Sequence, residues 1–236
     1  MKFAAFALVM MALHGGLYAR DFFFRAPEGT PVKVLNAGKQ TLLVNNGSVS
    51  IFEKHDLRTL IDSVGNITDA LIDGKDLWLA TNTGVKVYNT ADYKLKQTYF
   101  PGKRISALGQ DVYKRMWVAT NLEGVYMQTK DSFETKLAIN GAYSLMCTAD
   151  SNVFIGTNVG LYRLAAKDFT VTRYAEEGYS GYELPDNIVE HLYKDEQSNV
   201  WVIMPDNISF KSSTHYQGEI PSYSYIGDKH NEIKTI

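Results

Sequence analysis

The sequence predicts an all-β protein that folds as a β-propeller of four-stranded antiparallel blades. The main observation is a repeat of roughly 40 residues, clearest at 67–88, which returns at 105–127, at 142–164 and in altered form at 187–210. Each copy passes from an apolar run through a polar turn to an aromatic residue. A repeat of this length, made of short strands, is typical of a propeller, in which neighbouring blades bury one another's faces.

Five positions of the repeat carry the same kind of residue in at least three copies. We expect the aromatic side chain to pack between neighbouring blades and the small residue two positions later to allow their close approach. The glycine is expected to turn the chain into the next strand. The turn aspartates are Asp73, Asp111, Asp150 and Asp195, the aromatics are Trp78, Trp117, Phe154 and Trp201, and three copies continue with Thr81, Thr120 and Thr157 followed by Gly84, Gly124 and Gly160.

Composition limits the possible partners. The chain has 236 residues, 45% of them hydrophobic, which is enough to bury a sizeable core. It carries 26 acidic and 24 basic residues, so its net charge is −2. This balance gives no electrostatic reason to expect nucleic acid or an anionic membrane surface as a partner.

The amino terminus predicts a signal peptide over residues 1–19. Lys2 supplies a positive charge, residues 3–13 are uninterrupted and apolar, and Ala19 ends an acceptable cleavage site. The apolar run is shorter than the roughly 20 residues that span a bilayer, which argues against the alternative of a membrane anchor. We therefore expect an exported mature chain that begins at Arg20 and has no membrane span.

The mature chain is expected to form one propeller domain over 20–236. The first repeat, 32–61, is a degenerate copy in which Asn46-Gly47 predicts a hairpin with a type I′ turn. In the clearest copy we expect strands at about 67–72, 76–81, 84–88 and 94–99. The repeats are placed at 32–61, 67–100, 105–138, 142–174 and 187–226, and 231–236 matches the start of a further blade.

That last segment leaves two possibilities open. If 231–236 begins a sixth blade, the chain is an incomplete or open propeller of about five blades. If the segment pairs with another blade instead, it closes a small five-bladed ring. We expect the open propeller.

The repeat resembles the two-component-regulator propeller repeat, whose usual form is I-x-x-I-x-x-D-x-x-G-x-L-W-I-G-T-x-x-G-L. The resemblance covers residues 22–236, with 183–188 similar to that family's entry into a new blade. It is weak for the first copy, and the last copy departs from the pattern at 203–205, where Pro205 is unexpected. It implies the N-terminal part of a periplasmic sensor of the hybrid two-component type, without the kinase. The implied role is ligand sensing or ligand binding, in the periplasm or elsewhere in the cell envelope.

For catalysis the sequence offers little. It has no glycine-rich phosphate loop, no His-Glu-x-x-His helix and no Cys-x-x-Cys pair, so we expect no cofactor, no metal site and no enzyme activity. Glu190-His191 could place an acid and a base near the central channel, but neighbours on a strand equally well point to opposite faces. The single cysteine, Cys147, has no partner for an intramolecular disulfide, and we expect it to be a small buried side chain.

A binding surface is easier to predict than a reaction centre. The loops that enter the first strand of each blade and those between its second and third strands should gather on one face around the channel mouth. Their amide, guanidinium and phenol groups suit an oligosaccharide or peptide ligand. The alternatives are docking on other envelope proteins during assembly or secretion and, as a third class, a polysaccharide lyase or hydrolase. The candidate ligand-binding residues are Asn82, Arg104, Asn121, Asn158, Tyr179 and Tyr182.

Overall fold

The computed structural model describes residues 29–53, 56–130, 132–176, 184–196, 199–205, 208–211 and 224–226. Within these ranges the chain forms five four-stranded sheets, each built from four strands in sequence order. The predicted fold class is confirmed: the protein is all-β and its repeats are four-stranded antiparallel blades. The predicted signal peptide, the segment 22–28 and the segment 231–236 lie outside the described residues, so the choice between an open and a closed propeller stays a prediction.

The strands follow one another through hairpins, and their bounds are given sheet by sheet. The first sheet consists of β1 (Pro31–Ala37), β2 (Gln40–Asn45), β3 (Val49–Glu53) and β4 (Asp56–Ile61). The second consists of β5 (Ile67–Asp73), β6 (Asp76–Thr81), β7 (Gly84–Asn89) and β8 (Leu95–Tyr99). The third consists of β9 (Ile105–Gln110), β10 (Met116–Thr120), β11 (Gly124–Gln128) and β12 (Phe133–Leu137). The fourth consists of β13 (Ala142–Cys147), β14 (Asn152–Thr157), β15 (Gly160–Ala165) and β16 (Val171–Tyr174), and the fifth of β17 (His191–Lys194), β18 (Val200–Ile203), β19 (Ile208–Lys211) and β20 (Ser224–Ile226).

Burial differs between the strands of a sheet. Every residue of β10 and of β14 is buried, although successive side chains of a strand point to opposite faces. The fourth strands are less buried: four of the five residues of β8 and two of the four residues of β16 are exposed. The second strand is therefore covered on both faces, and the hydrophobic core lies between sheets at this level.

The described chain divides into two compact units. One unit holds the described residues up to Leu79 together with Lys86–Gln97, and the other holds Ala80–Val85 and the described residues from Thr98 onward. The core of the first unit joins Leu42, Val44 and Ile51 of the first sheet to residues of the second sheet, which are Ile67, Ala70, Leu77 and Leu79.

In the other unit, two of the repeated aromatics pack between successive sheets, as the repeat predicts. Trp117 has no exposed surface and shares a cluster with Leu145 and Ile155 of the fourth sheet. Phe154 is packed in the same way against Val189 and Val202 at the fifth sheet. The aromatic position of the repeat therefore joins each of these sheets to the next one.

The turn aspartate does more than make a turn, which the sequence pattern did not indicate. Asp111 accepts a hydrogen bond from the indole Nε1 of Trp117 at 2.8 Å, and Asp195 accepts one from Trp201 at 2.9 Å. Phe154 has no N–H group, and in its repeat Asp150 accepts from Asn152 Nδ2 at 2.9 Å instead. A buried indole needs an acceptor for its N–H, and in the third and fifth sheets the turn aspartate supplies it.

The threonine and glycine of the repeat form a recurring hydrogen-bonded turn. Thr120 Oγ1 donates to the carbonyl oxygen of Gly124 at 2.9 Å and accepts from the N–H of Glu123 at 3.1 Å. The same threonine-to-glycine bond is 2.7 Å long at both Thr81 and Thr157. This side-chain bond fixes the connection between the second and third strands in all three copies.

The hairpin at Asn46-Gly47 is present, but the predicted type I′ turn is wrong. Neither residue has the positive φ that such a turn requires. Asn46 instead exchanges hydrogen bonds with Thr30: its N–H donates to the Thr30 carbonyl oxygen at 2.9 Å, and its Oδ1 accepts from the Thr30 N–H at 3.2 Å. Its own carbonyl oxygen accepts from the N–H of Ile67 at 2.7 Å. These contacts with distant residues, not the two-residue signal, set the turn.

A second aromatic contact between sheets also escaped the sequence pattern. Tyr93 and Phe169 lie between the third and fourth strands of their sheets and adopt left-handed φ values of 55° and 62°. Tyr93 donates from its hydroxyl to Gln40 Oε1 of the first sheet at 2.9 Å. The ring of Phe169 lies 6.3 Å from that of Trp117 in the third sheet. Each of these side chains therefore reaches back to the preceding sheet.

Replacing Trp117 tests the packing between the third and fourth sheets. We expect Trp117→Ala to lower the free energy of unfolding by about 3–5 kcal/mol, because it empties a large buried site. Trp117→Phe keeps most of the ring but removes the bond to Asp111, so a loss of about 1–2 kcal/mol is expected. Urea denaturation followed by circular dichroism measures both. A loss below about 1 kcal/mol for Trp117→Ala would contradict this packing.

Two glycines with positive φ form a matched pair for a second test. At Gly124, where φ is 106°, a Cβ atom would lie 2.1 Å from the Leu137 carbonyl oxygen. At Gly74, where φ is 58°, no atom lies within 4 Å of the same position. We expect Gly74→Ala to cost about 1–2 kcal/mol from backbone strain alone, and Gly124→Ala about 3 kcal/mol or more. Equal losses in thermal or urea unfolding would refute the proposed close approach.

Candidate functional site

The candidate site lies on one end of the sheets, in the second of the two units. It is formed by the connections between second and third strands and by the segments that lead into the first strand of the next sheet. We call this surface the loop face; its described segments are 82–83, 100–104, 121–123, 138–141, 158–159 and 184–190.

Backbone hydrogen bonds join the loop segments one to the next. The N–H of Asn121 donates to the carbonyl oxygen of Arg104 at 3.1 Å, and the N–H of Gly141 donates to that of Asn121 at 2.7 Å. The N–H of Asn158 then donates to the carbonyl oxygen of Gly141 at 3.1 Å. We call this series the backbone ladder. It holds loops from two sheets and their connections at fixed spacing.

Further bonds of the same kind extend the connection at both ends. The N–H of Gly102 donates to the carbonyl oxygen of Thr83 at 3.0 Å. At the other end the N–H of Gly160 donates to the carbonyl oxygen of Asn187 at 2.7 Å. The loop face is thus continuous from 83 to 187 within this unit.

The structure places four of the six predicted site residues on the loop face. Asn82, Arg104 and Asn158 are exposed, and Asn121 is partly buried. The backbone ladder brings Arg104, Asn121 and Asn158 together through their main chains. Tyr179 and Tyr182 lie outside the described residues.

The side chain of Asn158 lies close to the main chain of Gly141. Gly141 has a φ of 74°, and a Cβ atom there would come within 2.4 Å of Asn158 Oδ1. Only glycine accepts both the left-handed conformation and this close approach. The amide of Asn158 therefore occupies space that a side chain at 141 would fill.

An ion pair fixes the loop at 121–123. Lys103 Nζ is bonded to Glu123 Oε2, which also accepts a hydrogen bond from the Tyr126 hydroxyl at 3.2 Å. The hydrogen bond from Lys103 lowers the pKa of Glu123, and the same bond raises the pKa of Lys103. The Lys103 ammonium also lies 5.6 Å from the ring centre of Tyr126, within the range of a cation–π contact. The loop that carries Asn121 is thereby tied to the segment that carries Arg104.

Sequence reasoning missed Tyr143, which a β-bulge presents to solvent. On β13, Ala142 pairs with Thr157 and Ser144 pairs with Gly156, so Tyr143 is the extra residue and is 39% exposed. Ser106 occupies the same position of the third sheet, where its hydroxyl donates to the Ala142 carbonyl oxygen at 2.6 Å. A bulge re-aims its side chain, and no sequence signal marks this one.

Three aliphatic side chains on the loop face are also exposed and were not predicted as site residues. Leu122 is 70% exposed, Val159 38% and Ile188 40%. Each directly follows an asparagine of the loop face. Exposed aliphatic groups at loop tips are available to a ligand.

The structure also bears on the residues considered for catalysis. Glu190 and His191 are both exposed, so neither side chain is packed in the core. Across the described residues, no group of three or more His, Cys, Asp or Glu side chains could hold a metal ion. In the same part of the chain there is no helix with the length and apolarity needed to cross a bilayer.

Cys147 is packed against the third sheet. A Cβ atom at Gly109 would lie 2.9 Å from its Sγ, and burial raises the pKa of the thiol to about 12. The thiolate, which is the reactive form, is therefore scarce at neutral pH.

We expect Cys147 to resist thiol reagents in the folded protein. With a pKa of about 12, only about one thiol in 10⁴ is ionised at pH 8, and this fraction rises about tenfold for each unit of pH. Labelling with a chromogenic disulfide in native buffer and in urea measures the difference. Equal labelling rates in the two conditions would contradict the burial of this side chain.

No protein-family model and no curated protein matches the sequence. Solved structures do show similar folds. The extracellular domain of the hybrid two component system BT3049 from B. thetaiotaomicron is 16% identical with a TM-score of 0.63, over 84% of this chain and 30% of that domain. A streptogramin B lyase is 10% identical with a TM-score of 0.65, over 87% of this chain and 71% of the lyase.

A third similar structure is PorZ, a surface component of the type-IX secretion system of Porphyromonas gingivalis. It is 13% identical with a TM-score of 0.53, over 85% of this chain and 33% of PorZ. The neighbours thus include the class of sensor that the repeat resembles, and this chain spans less than a third of the BT3049 domain. At these identities the likeness concerns the fold.

Proposed function

We propose that this chain is the ligand-binding propeller of an exported sensor and that its loop face holds an extracellular ligand. The backbone ladder carries the proposal, because it sets Arg104, Asn121 and Asn158 at fixed spacing. Ligand sites are assembled from a few polar groups held by a rigid frame. The resemblance of the repeat to periplasmic sensors and the fold of the BT3049 extracellular domain support the same role.

The proposed role is binding without turnover. A general acid needs a carboxyl group whose pKa is raised toward the working pH. On the loop face, Glu123 has the opposite shift, since its hydrogen bond from Lys103 lowers its pKa. Glu123 therefore remains an ionised partner of Lys103 and is unsuited to protonate a leaving group.

Export to the periplasm or the cell envelope belongs to the same proposal. It is supported by the predicted signal peptide at 1–19 and by the extracellular location that the name of the BT3049 domain gives. Docking on envelope proteins is the second candidate, favoured by the exposed Leu122, Val159 and Ile188.

Substitutions on the loop face test the proposal. The full chain is screened against an array of bacterial oligosaccharides and a display library of short random peptides. We expect the double variant Arg104→Ala, Asn158→Ala to bind the selected ligand about tenfold more weakly or worse, since it loses hydrogen bonds and a charge. The matched control is Lys130→Ala, an exposed lysine at the other end of the third sheet.

Two results would count against the proposal. Undiminished affinity in the double variant would move the site away from the loop face. Conversion of a bound oligosaccharide to product during the assay would show that the protein is a lyase or a hydrolase and not a binding protein.

A further inference from the structure

We infer that the ligand of the loop face is a polypeptide that lays apolar side chains against Leu122, Tyr143, Val159 and Ile188. We call these four residues the apolar row. The inference rests on the proposed function, because it names the chemical class that the same face binds.

The row gathers a large share of the exposed apolar surface. Of the ten large hydrophobic side chains that are exposed among the described residues, Leu122, Val159 and Ile188 lie in loop-face segments, and Tyr143 lies on β13 two residues beyond the 138–141 segment. Isolated exposed apolar residues are common on soluble proteins, whereas grouped ones mark interaction surfaces. Their concentration on one face therefore points to a partner that covers them.

The backbone ladder makes the four residues neighbours. Leu122 follows Asn121, whose carbonyl oxygen accepts from Gly141, and Tyr143 lies two residues beyond Gly141. Val159 follows Asn158, which donates to the same Gly141. Each of these steps is a hydrogen bond between main-chain atoms, so the order of the row along the face follows from the order of the loops.

The same pattern reaches the fourth member of the row. Ile188 follows Asn187, whose carbonyl oxygen accepts from Gly160 at 2.7 Å, and Asp186 Oδ1 accepts from the N–H of Ile188 at 2.9 Å. Ile188 is therefore held next to the loop that carries Val159. The row runs from the third sheet to the entry of the fifth.

Tyr143 has a different origin from the other three. It lies on a strand and is exposed because the bulge in β13 breaks the alternation of side chains. A tyrosine on a fixed strand offers a large contact area at a small loss of side-chain entropy, as it does at protein interfaces. It is the one aromatic member of the row.

The composition of the row favours a polypeptide over a sugar. Aliphatic side chains cannot pair with the hydroxyl groups of a carbohydrate, and a hydroxyl buried without a hydrogen bond is costly. Apolar side chains of a peptide lose nothing by contact with Leu122 and Val159. The amides of Asn121 and Asn158 beside the row are suited to the N–H and C=O groups of an extended chain.

The charged residues along the loop face predict in which direction the peptide chain lies on it. Arg104 is exposed at the end near the third sheet. Glu176 and Glu190 are exposed near the fifth sheet, and Arg173 of β16 donates to the Val159 carbonyl oxygen at 2.8 Å. Complementary charges orient a partner on its site. The peptide should carry an acidic group at the Arg104 end and a basic group at the other.

The test selects short random peptides on the full chain and measures their affinity by fluorescence anisotropy. We expect Leu122→Ser, Tyr143→Ser and Val159→Ser each to weaken binding about tenfold, the worth of one lost apolar contact. Val171→Ser is the matched control, because Val171 is 44% exposed but lies on the outer strand β16. All four sites are exposed, so unchanged thermal melting shows that the variants fold.

The outcomes separate this inference from the proposed function. If the selected peptides bind Leu122→Ser and Tyr143→Ser as tightly as the wild type, the inference of a polypeptide ligand is wrong. Failure to select any peptide also contradicts it. An oligosaccharide that needs Arg104 and Asn158 but not the apolar row also overturns it, while the proposed function stands. Binding of either ligand that ignores Arg104 and Asn158 overturns the proposed function as well.

Discussion

The hydrogen bond between the Trp117 indole and Asp111 is the interaction on which much of this structure depends. A fully buried indole requires an acceptor for its N–H. The acceptor is a carboxylate that is itself buried, so it needs a cation, and Arg115 Nε supplies one at 2.7 Å. The Arg115 guanidinium in turn donates to the Ala166 carbonyl oxygen at 2.5 Å, in the fourth sheet. The contacts that satisfy the indole N–H of Trp117 thus also connect the third sheet to the fourth.

The fold was predictable because the repeat recurs along the chain at an interval that is typical of propeller blades. Four copies show the order of polar turn and aromatic residue, three of them continue to the glycine, and this order depends only on residues within one blade. In the second repeat the expected strands at 67–72, 76–81, 84–88 and 94–99 match the observed β5–β8 to within a residue or so at each end. The sequence pattern within this repeat was therefore sufficient to predict its four strands.

What the sequence did not predict depends on residues far along the chain. Asn46-Gly47 carries a strong hairpin signal, but bonds from Thr30 and Ile67 hold Asn46 in another conformation. The acceptor role of Asp111 needs the depth of the packed sheet, and the left-handed Phe169 needs the preceding sheet as its partner. Asn46 and Phe169 thus have partners outside their own repeats, whereas Trp117, the partner of Asp111, lies in the same repeat but is buried by the fourth sheet.

In the candidate site, too, some features could be predicted from the sequence and others could not. Asn82, Arg104, Asn121 and Asn158 could be placed on one face, since the order of strands in a blade determines which loops share an end. Tyr143 could not, because a bulge changes which way a side chain points without leaving a mark in composition. The series of hydrogen bonds that joins the loops was equally invisible, as it uses only main-chain atoms.

The backward reach of Tyr93 and Phe169 has a consequence for how the chain assembles. Each of these side chains contacts a sheet that is formed by earlier residues of the sequence. A polypeptide that emerges amino end first can therefore complete one blade before the next one needs it as a surface. The left-handed conformation of the ring-bearing residue, unfavourable in isolation, becomes favourable only when that surface exists. These two contacts favour formation of the first sheet before the second, and of the third before the fourth.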